Sequence, residues 1–486
     1  MKRKINILLI GFLMMSLMGF SSPLAPRNQM NVVRYYIQLP KPTPNSMRQL
    51  LGWLRKNQFD IAGTNLKKGI AEVVTNQTGV QFLQSQGLRG LFRPITKFSE
   101  QSSIDPNYLN PVKVEAALRA LAKAFPQLTH LQQVGVSIQG RPIWALLISS
   151  TPSLPQMYTK PSIIIDGMHH AREVMTSEIV LNVGHTILQA IQAHNEAAIN
   201  ALSTWNVWIV PMLNVDGNNM VWTENQMWRK NARDDKGQIY GVDINRNYPF
   251  NWAACNGSST NREAQDYHGT GAASEPETTA MIKLGNFVMP TVSLSYHSYG
   301  ELVLYPYGCE GQLSGNNSLQ ERVGQELAAV LPSDSGSGSY TPGTPWKLLY
   351  SVDGDSMSFM HSEFGALAFT IEVNEDFIPA YSLQQPTLEK QRKGWQYLLT
   401  RSEMNLLAIH VSDSHGAPIS KAKIDINEVK QITGEKPFQV NPAGYFFKVL
   451  EPGNYSLKAT LPDGRTAQAI VQFEGKGRQI VEITIP

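Results

Sequence analysis

What this sequence has little of narrows its class before any motif is read. Its 486 residues hold only two cysteines, Cys255 and Cys309, so a disulfide-stapled miniature scaffold is excluded and stability must come from a hydrophobic core. Charge is scarce and nearly balanced: charged residues are 17%, with 42 basic against 39 acidic and a formal net charge of +3. No block of five Lys or Arg occurs, and no nucleic-acid partner is expected. Tandem repeats and low-complexity tracts are missing, which excludes a solenoid or an unstructured tether. After the first residues no apolar run approaches the ~20 residues that a spanning helix needs, so the mature form is expected to have no membrane span.

What is present is a chain with 42% hydrophobic residues, long enough for two or three domains. It begins Met-Lys-Arg-Lys, continues through an apolar run from Ile5 to Phe20, and passes small residues from Ser21 to Ala25. Positive charge, a short apolar core and a small-residue exit describe a secretory signal peptide over residues 1–25. A membrane anchor is the alternative, but the run is short for one. No cysteine stands at the exit for a lipid. The expected location is therefore secreted or periplasmic, where Cys255 and Cys309 either form one disulfide or stay as two buried thiols.

Four stretches of different texture follow. Residues 26–104 read as a small α+β unit, with strand candidates at Val32–Leu39 and Ile70–Val74 and helices capped by Asn45 or Ser46 and running over Gly79–Gln86. Thr96–Asn107 is polar and linker-like. Residues 105–405 alternate apolar runs with amphipathic helices. Val112–Phe125 and Glu178–Gln192 are helical by spacing, and Ile143–Ile148, Ile163–Ile165, Val207–Met212 and Val292–Tyr296 are strand candidates. Unbroken Ile/Val runs between helices predict an α/β domain with a mixed, largely parallel sheet and helices on both faces. Residues 406–486 carry six short strand patterns separated by turns such as Pro452-Gly453 and Asp463-Gly464, the texture of a small β-sandwich.

The segment Asp166-Gly167-Met168-His169-His170-Ala171-Arg172-Glu173 directly follows the apolar Ile163–Ile165. The carboxyl end of a strand is where α/β sheets place ligands. Zinc takes imidazole nitrogens and carboxylate oxygens, and a catalytic site uses three protein ligands and keeps one position open. A His with a Glu three residues on is weak alone, and it is not the helical H-E-x-x-H arrangement. Further motifs follow in order: Asn214-Val215-Asp216-Gly217, Trp228-Arg229-Lys230, Gly241-Val242-Asp243-Ile244-Asn245-Arg246-Asn247, Tyr267-His268-Gly269, Ser274-Glu275-Pro276-Glu277, His297-Ser298-Tyr299, Leu304-Tyr305-Pro306-Tyr307-Gly308, Tyr350 and Phe369-Thr370-Ile371-Glu372.

In this order the chain resembles the zinc metallocarboxypeptidases of the carboxypeptidase A/B type over roughly residues 108–400. The resemblance implies a carboxypeptidase-like fold and a secreted enzyme that hydrolyses the last peptide bond of peptides or proteins. It implies one Zn2+ on His170, Glu173 and His297. Glu372 would be the general base that takes a proton from the attacking water and later delivers one to the leaving amine. Arg229 would stabilise the developing oxyanion, an effect on the order of ~3 kcal/mol in a water-poor site. Asn245 and Arg246 would clamp the substrate's terminal carboxylate, Tyr350 would close over it, and Arg172 would line the next subsite. His169 receives no role. By the family's spacing, Met357 would line the pocket for the departing side chain, favouring apolar or aromatic residues. Asp355, two positions away, would accept a basic side chain if it points inward.

The N-terminal unit is placed like this family's pro-segment, which implies a zymogen whose active-site mouth is covered until the linker is cut; a permanent accessory domain is the alternative reading of the same unit. The C-terminal sandwich, with Asp413-Ser414-His415-Gly416 and Pro452-Gly453-Asn454-Tyr455, resembles a transthyretin-like module; a folding role or a protein partner is expected for it. Two rival readings stand beside the exopeptidase. A zinc amidase acting on bacterial cell-wall peptides would need the same ligands and base but depend less on the carboxylate clamp. An inactive binding homologue would have lost a ligand or the base, and neither is lost.

Overall fold

The computed structural model describes residues 32–65, 68–94, 104–334 and 336–486. The expected signal peptide and residues 96–103 of the expected linker lie outside the described residues.

The N-terminal unit is a four-stranded antiparallel sheet in the order β2-β3-β1-β4, formed by β1 (Val32–Gln38), β2 (Asp60–Asn65), β3 (Ile70–Asn76) and β4 (Gly90–Pro94). Two helices pack on it, Pro44–Lys56 and Gln77–Ser85. The first is capped by Thr43 in a reciprocal capping box with Ser46, rather than by Asn45 or Ser46 themselves. Pro44 sits at its first position, where a missing N–H costs nothing, so this proline starts the helix. Tyr35, Ile37, Leu51, Leu54, Val73 and Leu83 form its core. The strands β2 and β4 were not anticipated: β2 is Asp-Ile-Ala-Gly-Thr-Asn, short of the β-branched and aromatic residues that mark a strand.

The central domain holds an eight-stranded mixed sheet, built from β5 (Thr129–Val136), β6 (Pro142–Ile148), β7 (Ser162–Gly167), β8 (Asn206–Val210), β11 (Val292–Ser298), β12 (Leu302–Leu304), β13 (Thr341–Gly343) and β14 (Leu367–Val373), with β9 (Asp234–Asp235) and β10 (Gln238–Ile239) forming a separate hairpin. The sheet order is β13-β12-β14-β11-β7-β8-β6-β5. Its centre, from β14 to β8, is parallel; on one flank β6 pairs antiparallel with β8 and β5, and on the other β12 pairs antiparallel with β14 but parallel with β13. Every residue of β7, β8 and β11 is buried, so both faces are covered, as the unbroken apolar runs require. Ile163, Ile164 and Ile165 are fully buried, each contributing roughly 1.5–3 kcal/mol of hydrophobic stabilisation.

The C-terminal unit consists of a three-stranded and a four-stranded sheet around its own core. Its strands are β15 (Leu406–Asp413), β16 (Lys423–Ile426), β17 (Phe438–Gln439), β18 (Tyr445–Val449), β19 (Gly453–Thr460), β20 (Thr466–Phe473) and β21 (Gln479–Ile485). Cys255 and Cys309 are joined in a disulfide, which closes the choice left open by spacing.

Candidate active site

The carboxyl ends of the parallel strands converge on one cleft. His170 lies three residues beyond β7, and His297 and Glu372 stand opposite each other in the register of β11 and β14. The turn after β7 is held tightly. Thr176 Oγ1 accepts from Met168 N at 3.0 Å and donates to Glu173 O at 2.7 Å. Asn214 Nδ2 donates to His169 O at 3.0 Å, Asn218 Nδ2 to Ala171 O at 3.0 Å, and Ala171 N to Arg229 O at 2.9 Å. The Asn-rich motif after β8 thus shapes the ligand loop without touching the cleft.

Nitrogen and oxygen atoms of His170, Glu173 and His297 lie within 4.8 Å of one another, and all three residues are buried. His170 Nδ1 is 2.7 Å from Glu173 Oε1, and His297 Nδ1 is 3.2 Å from both His170 Nδ1 and Glu173 Oε2. Glu173 Oε2 is buried without a hydrogen-bond donor. Two imidazole nitrogens turned towards each other beside an unsatisfied carboxylate oxygen form a donor set that suits zinc and leaves room for a fourth ligand. Burial raises the Glu173 carboxyl, but His170 and His297 outweigh it and hold it below the usual range. Burial pushes the His297 imidazole down to about 4, against the pull of Glu173. It therefore stays neutral near pH 7, the form that binds metal.

Asp243, quoted only as part of a motif in the sequence reading, turns out to organise the surroundings. Its Oδ1 lies 3.3 Å from His170 Nε2 and accepts from Asn245 N at 2.9 Å, while Oδ2 accepts from Arg229 Nη2 at 2.8 Å. One buried carboxylate therefore orients a ligand imidazole, a guanidinium and the short turn Ile244–Arg246. Burial opposes its charge, yet Arg229 first and then His170 hold its carboxyl well below the ordinary value. Only this convergence in space could have exposed it; nothing in its spacing does.

Asn245, Arg246, Arg229, Tyr350, Asp355, Met357 and Glu372 line the same cleft as His170 and Glu173. Asn245 Oδ1 accepts from Ser356 N at 2.9 Å, and Arg246 Nη1 donates to Asn245 O at 2.7 Å. Gly354, at φ +64° in the left-handed region, passes close to this turn: a Cβ there would lie 2.5 Å from Arg246 O, so only glycine fits. Glu372 is partly buried; burial first, then Glu173, raise its carboxyl well above the ordinary value, with Arg229 and Arg246 opposing. Asp355 caps the helix Ser356–Phe364, its Oδ1 accepting from Ser358 N at 2.8 Å, while Oδ2 is buried without a partner. Met357 is 3% exposed on the first turn of that helix.

Arg172 is the exception. It is fully buried, stacks 4.2 Å from the centre of the Phe377 ring, and is paired with Asp60 of the N-terminal unit at 2.8 and 3.0 Å. Ile61, Ala62, Gly63 and Thr64 of β2 line the cleft itself. His169 is not a member of the three-residue cluster but packs against it: its Nε2 is 2.9 Å from Tyr248 Oη and its ring stacks on His297 at 5.3 Å.

Among known proteins, the sequence profile of the zinc carboxypeptidase family matches residues 114–394. Carboxypeptidase O of Bos taurus is 30% identical over 259 residues, 53% of this chain and 67% of that protein. Carboxypeptidase B of Bos taurus is 26% identical over 300 residues, 60% of this chain and 70% of that protein. The crystal structure of carboxypeptidase A from Helicoverpa armigera superposes with a TM-score of 0.65 at 21% identity, covering 76% of this chain and 97% of that one, a likeness of fold. The chain belongs to the zinc carboxypeptidase family, a family of metal-dependent hydrolases.

Proposed function

We propose that this enzyme removes the C-terminal residue of peptides or proteins, with zinc on His170, Glu173 and His297. The observation that carries the reading is the cleft itself. It joins ligands, the carboxylate of Glu372, the cation of Arg229 and the pair Asn245–Arg246 within one enclosure. Bound zinc supplies Lewis acidity, polarising the scissile carbonyl and bringing water's pKa towards ~7.

The chain's own residues do the rest. Asn245 and Arg246 hold the substrate's terminal carboxylate, and Tyr350 closes over it, which fixes the last peptide bond against the ligand cluster. Glu372 accepts the proton of the attacking water and returns one to the departing amine. Arg229, oriented by Asp243, faces the oxygen on which negative charge develops. Met357 presents an apolar surface to the departing side chain, and the reading favours apolar or aromatic terminal residues. The clamp for a free carboxylate favours the exopeptidase over a cell-wall amidase.

The N-terminal unit fits a zymogen cover. Its strand β2 lies along the cleft, Asp60 occupies Arg172, and Arg34 and Arg55 pair with Asp376 and Asp266 of the catalytic domain. Secretion, and a transthyretin-like identity for the C-terminal sandwich, belong to the same proposal; among the described residues no helix is long and apolar enough to cross a membrane.

The test is Glu372→Gln. The variant is expected to keep its zinc and lose nearly all turnover of a free-carboxylate peptide, a drop of about 10²–10⁴ for a general base. Turnover near the parent's level in a zinc-loaded variant would defeat the assignment.

A further inference from the structure

The helix Ser356–Phe364 carries Met357 in its first turn and is capped by Asp355, so its placement sets one wall of the cleft. Nine residues are too few to hold a helix by themselves in water. Its amino end is fixed from within the catalytic domain, where Asn245 Oδ1 accepts from Ser356 N. Its carboxyl end is gripped from both sides: Gln320 Nε2 of the catalytic domain lies 2.8 Å from His361 Nδ1, and the C-terminal sandwich holds it from outside that domain.

Four residues of the sandwich make this hold. Lys448 of β18, 4% exposed, donates from Nζ to Gly365 O, the residue that ends the helix in the left-handed conformation. A cation at this position satisfies a free carbonyl and complements the helix dipole. Lys436 N donates to Ser362 O at 2.7 Å. Glu435, in the loop between β16 and β17, accepts from the Oη of fully buried Tyr307 at 2.6 Å and stands 3.7 Å from His361 Nε2 on the helix. The ring of Phe438 closes on Gly365 so tightly that a Cβ there would lie 2.5 Å away. Apart from Tyr307, the partners are residues of one helix and the glycine that ends it, and it is the helix that bears the pocket.

We infer that the C-terminal sandwich is a positioning element for the terminal-residue pocket, with Lys448 and Glu435 acting through the helix Ser356–Phe364 rather than on substrate. The inference rests on the proposed reading that Met357 faces the departing side chain. A loosened helix lets the pocket wall shift, which weakens binding of large terminal side chains and leaves the zinc ligands, Glu372 and Arg229 in place.

The experiment compares Phe- and Ala-terminated peptides of otherwise identical sequence, using the full chain in its more active form, intact or cut within the Thr96–Asn107 linker. For Lys448→Met the KM of the Phe-terminated peptide is expected to rise and the preference for Phe over Ala in kcat/KM to fall about tenfold. The kcat on the Ala-terminated peptide and the zinc content are expected to stay at parent values. Equal effects on both peptides, or none, overturn the inference. Glu435→Ala, placed in the loop, is read the same way and decides the matter if Lys448→Met yields no soluble protein. Met357→Ala separates the two levels: if it leaves the Phe/Ala preference intact, the pocket assignment is wrong. If it changes that preference and the sandwich variants do not, the sandwich has no positioning role.

Discussion

The pair Asp60–Arg172 offers the sharpest test of the cover formed by the N-terminal unit. Arg172 has no exposed surface and makes two bonds to Asp60, whose side chain is 12% exposed. Removing one partner of a buried ion pair strands the other charge and costs about 3–5 kcal/mol. Because Asp60 keeps some contact with water, about 3 kcal/mol is the apt figure. At about 1.4 kcal/mol per factor of ten, Asp60→Ala weakens docking of the unit about a hundredfold. The other bridges, Arg34–Asp376 and Arg55–Asp266, are untouched by the change. The assay is the initial rate on a free-carboxylate peptide, with N-terminal sequencing before and after to show that the chain stays intact. The intact parent is expected to be slow. Intact Asp60→Ala is expected to gain up to about a hundredfold, bounded by the rate of the chain cut within the Thr96–Asn107 linker. If the intact parent already matches the cut chain, or if Asp60→Ala leaves the intact rate unchanged, the unit is a permanent accessory domain and not a cover.

Two more predictions follow from the same geometry. Arg246→Ala is expected to lower kcat/KM on free-carboxylate peptides about a hundredfold, the loss of about 3 kcal/mol of charged hydrogen bonding, while a C-terminally amidated peptide is unaffected; an equal loss on both would remove the clamp. Burial, helped by the Lys448 charge, holds the His361 imidazole down to about 3, against ~6.5 in the unfolded chain. The unfolded state then binds the extra proton, so stability present above pH ~6.5 is lost as pH falls towards ~3, at about 1.4 kcal/mol per unit. Denaturant titrations at pH 7 and pH 5 should show the gap between the parent and His361→Asn changing by about 2 kcal/mol in the variant's favour at the lower pH, and parallel behaviour would contradict the buried, neutral histidine.

The parts of the molecule that a single strand and its following loop determine could be read directly. Ile163–Ile165 announces a central strand because all three side chains are buried, and the ligand segment starts where that strand stops. Motifs on separate strands, such as His297 and Glu372, were legible as a set through the family resemblance. Their side-by-side register is a property of the folded sheet. Asp243 escaped notice because its role depends on His170 and Arg229, which are distant in the chain. So did β2: its weak strand composition is overridden by pairing with β3, and its place along the cleft comes from docking, through Asp60 and Gly63, against Arg172 and Tyr299. Arg172 was expected at a subsite, and the sequence carried no sign that Asp60 would already occupy it.

The proposed activity requires a single ion shared by His170, Glu173 and His297. Anomalous diffraction at the zinc edge, together with metal analysis of the purified chain, measures this directly. One zinc per chain, placed between those three side chains and lost in His297→Ala, is the expected result. A fully loaded protein that carries its zinc elsewhere, or a folded protein that takes up none, would contradict the account.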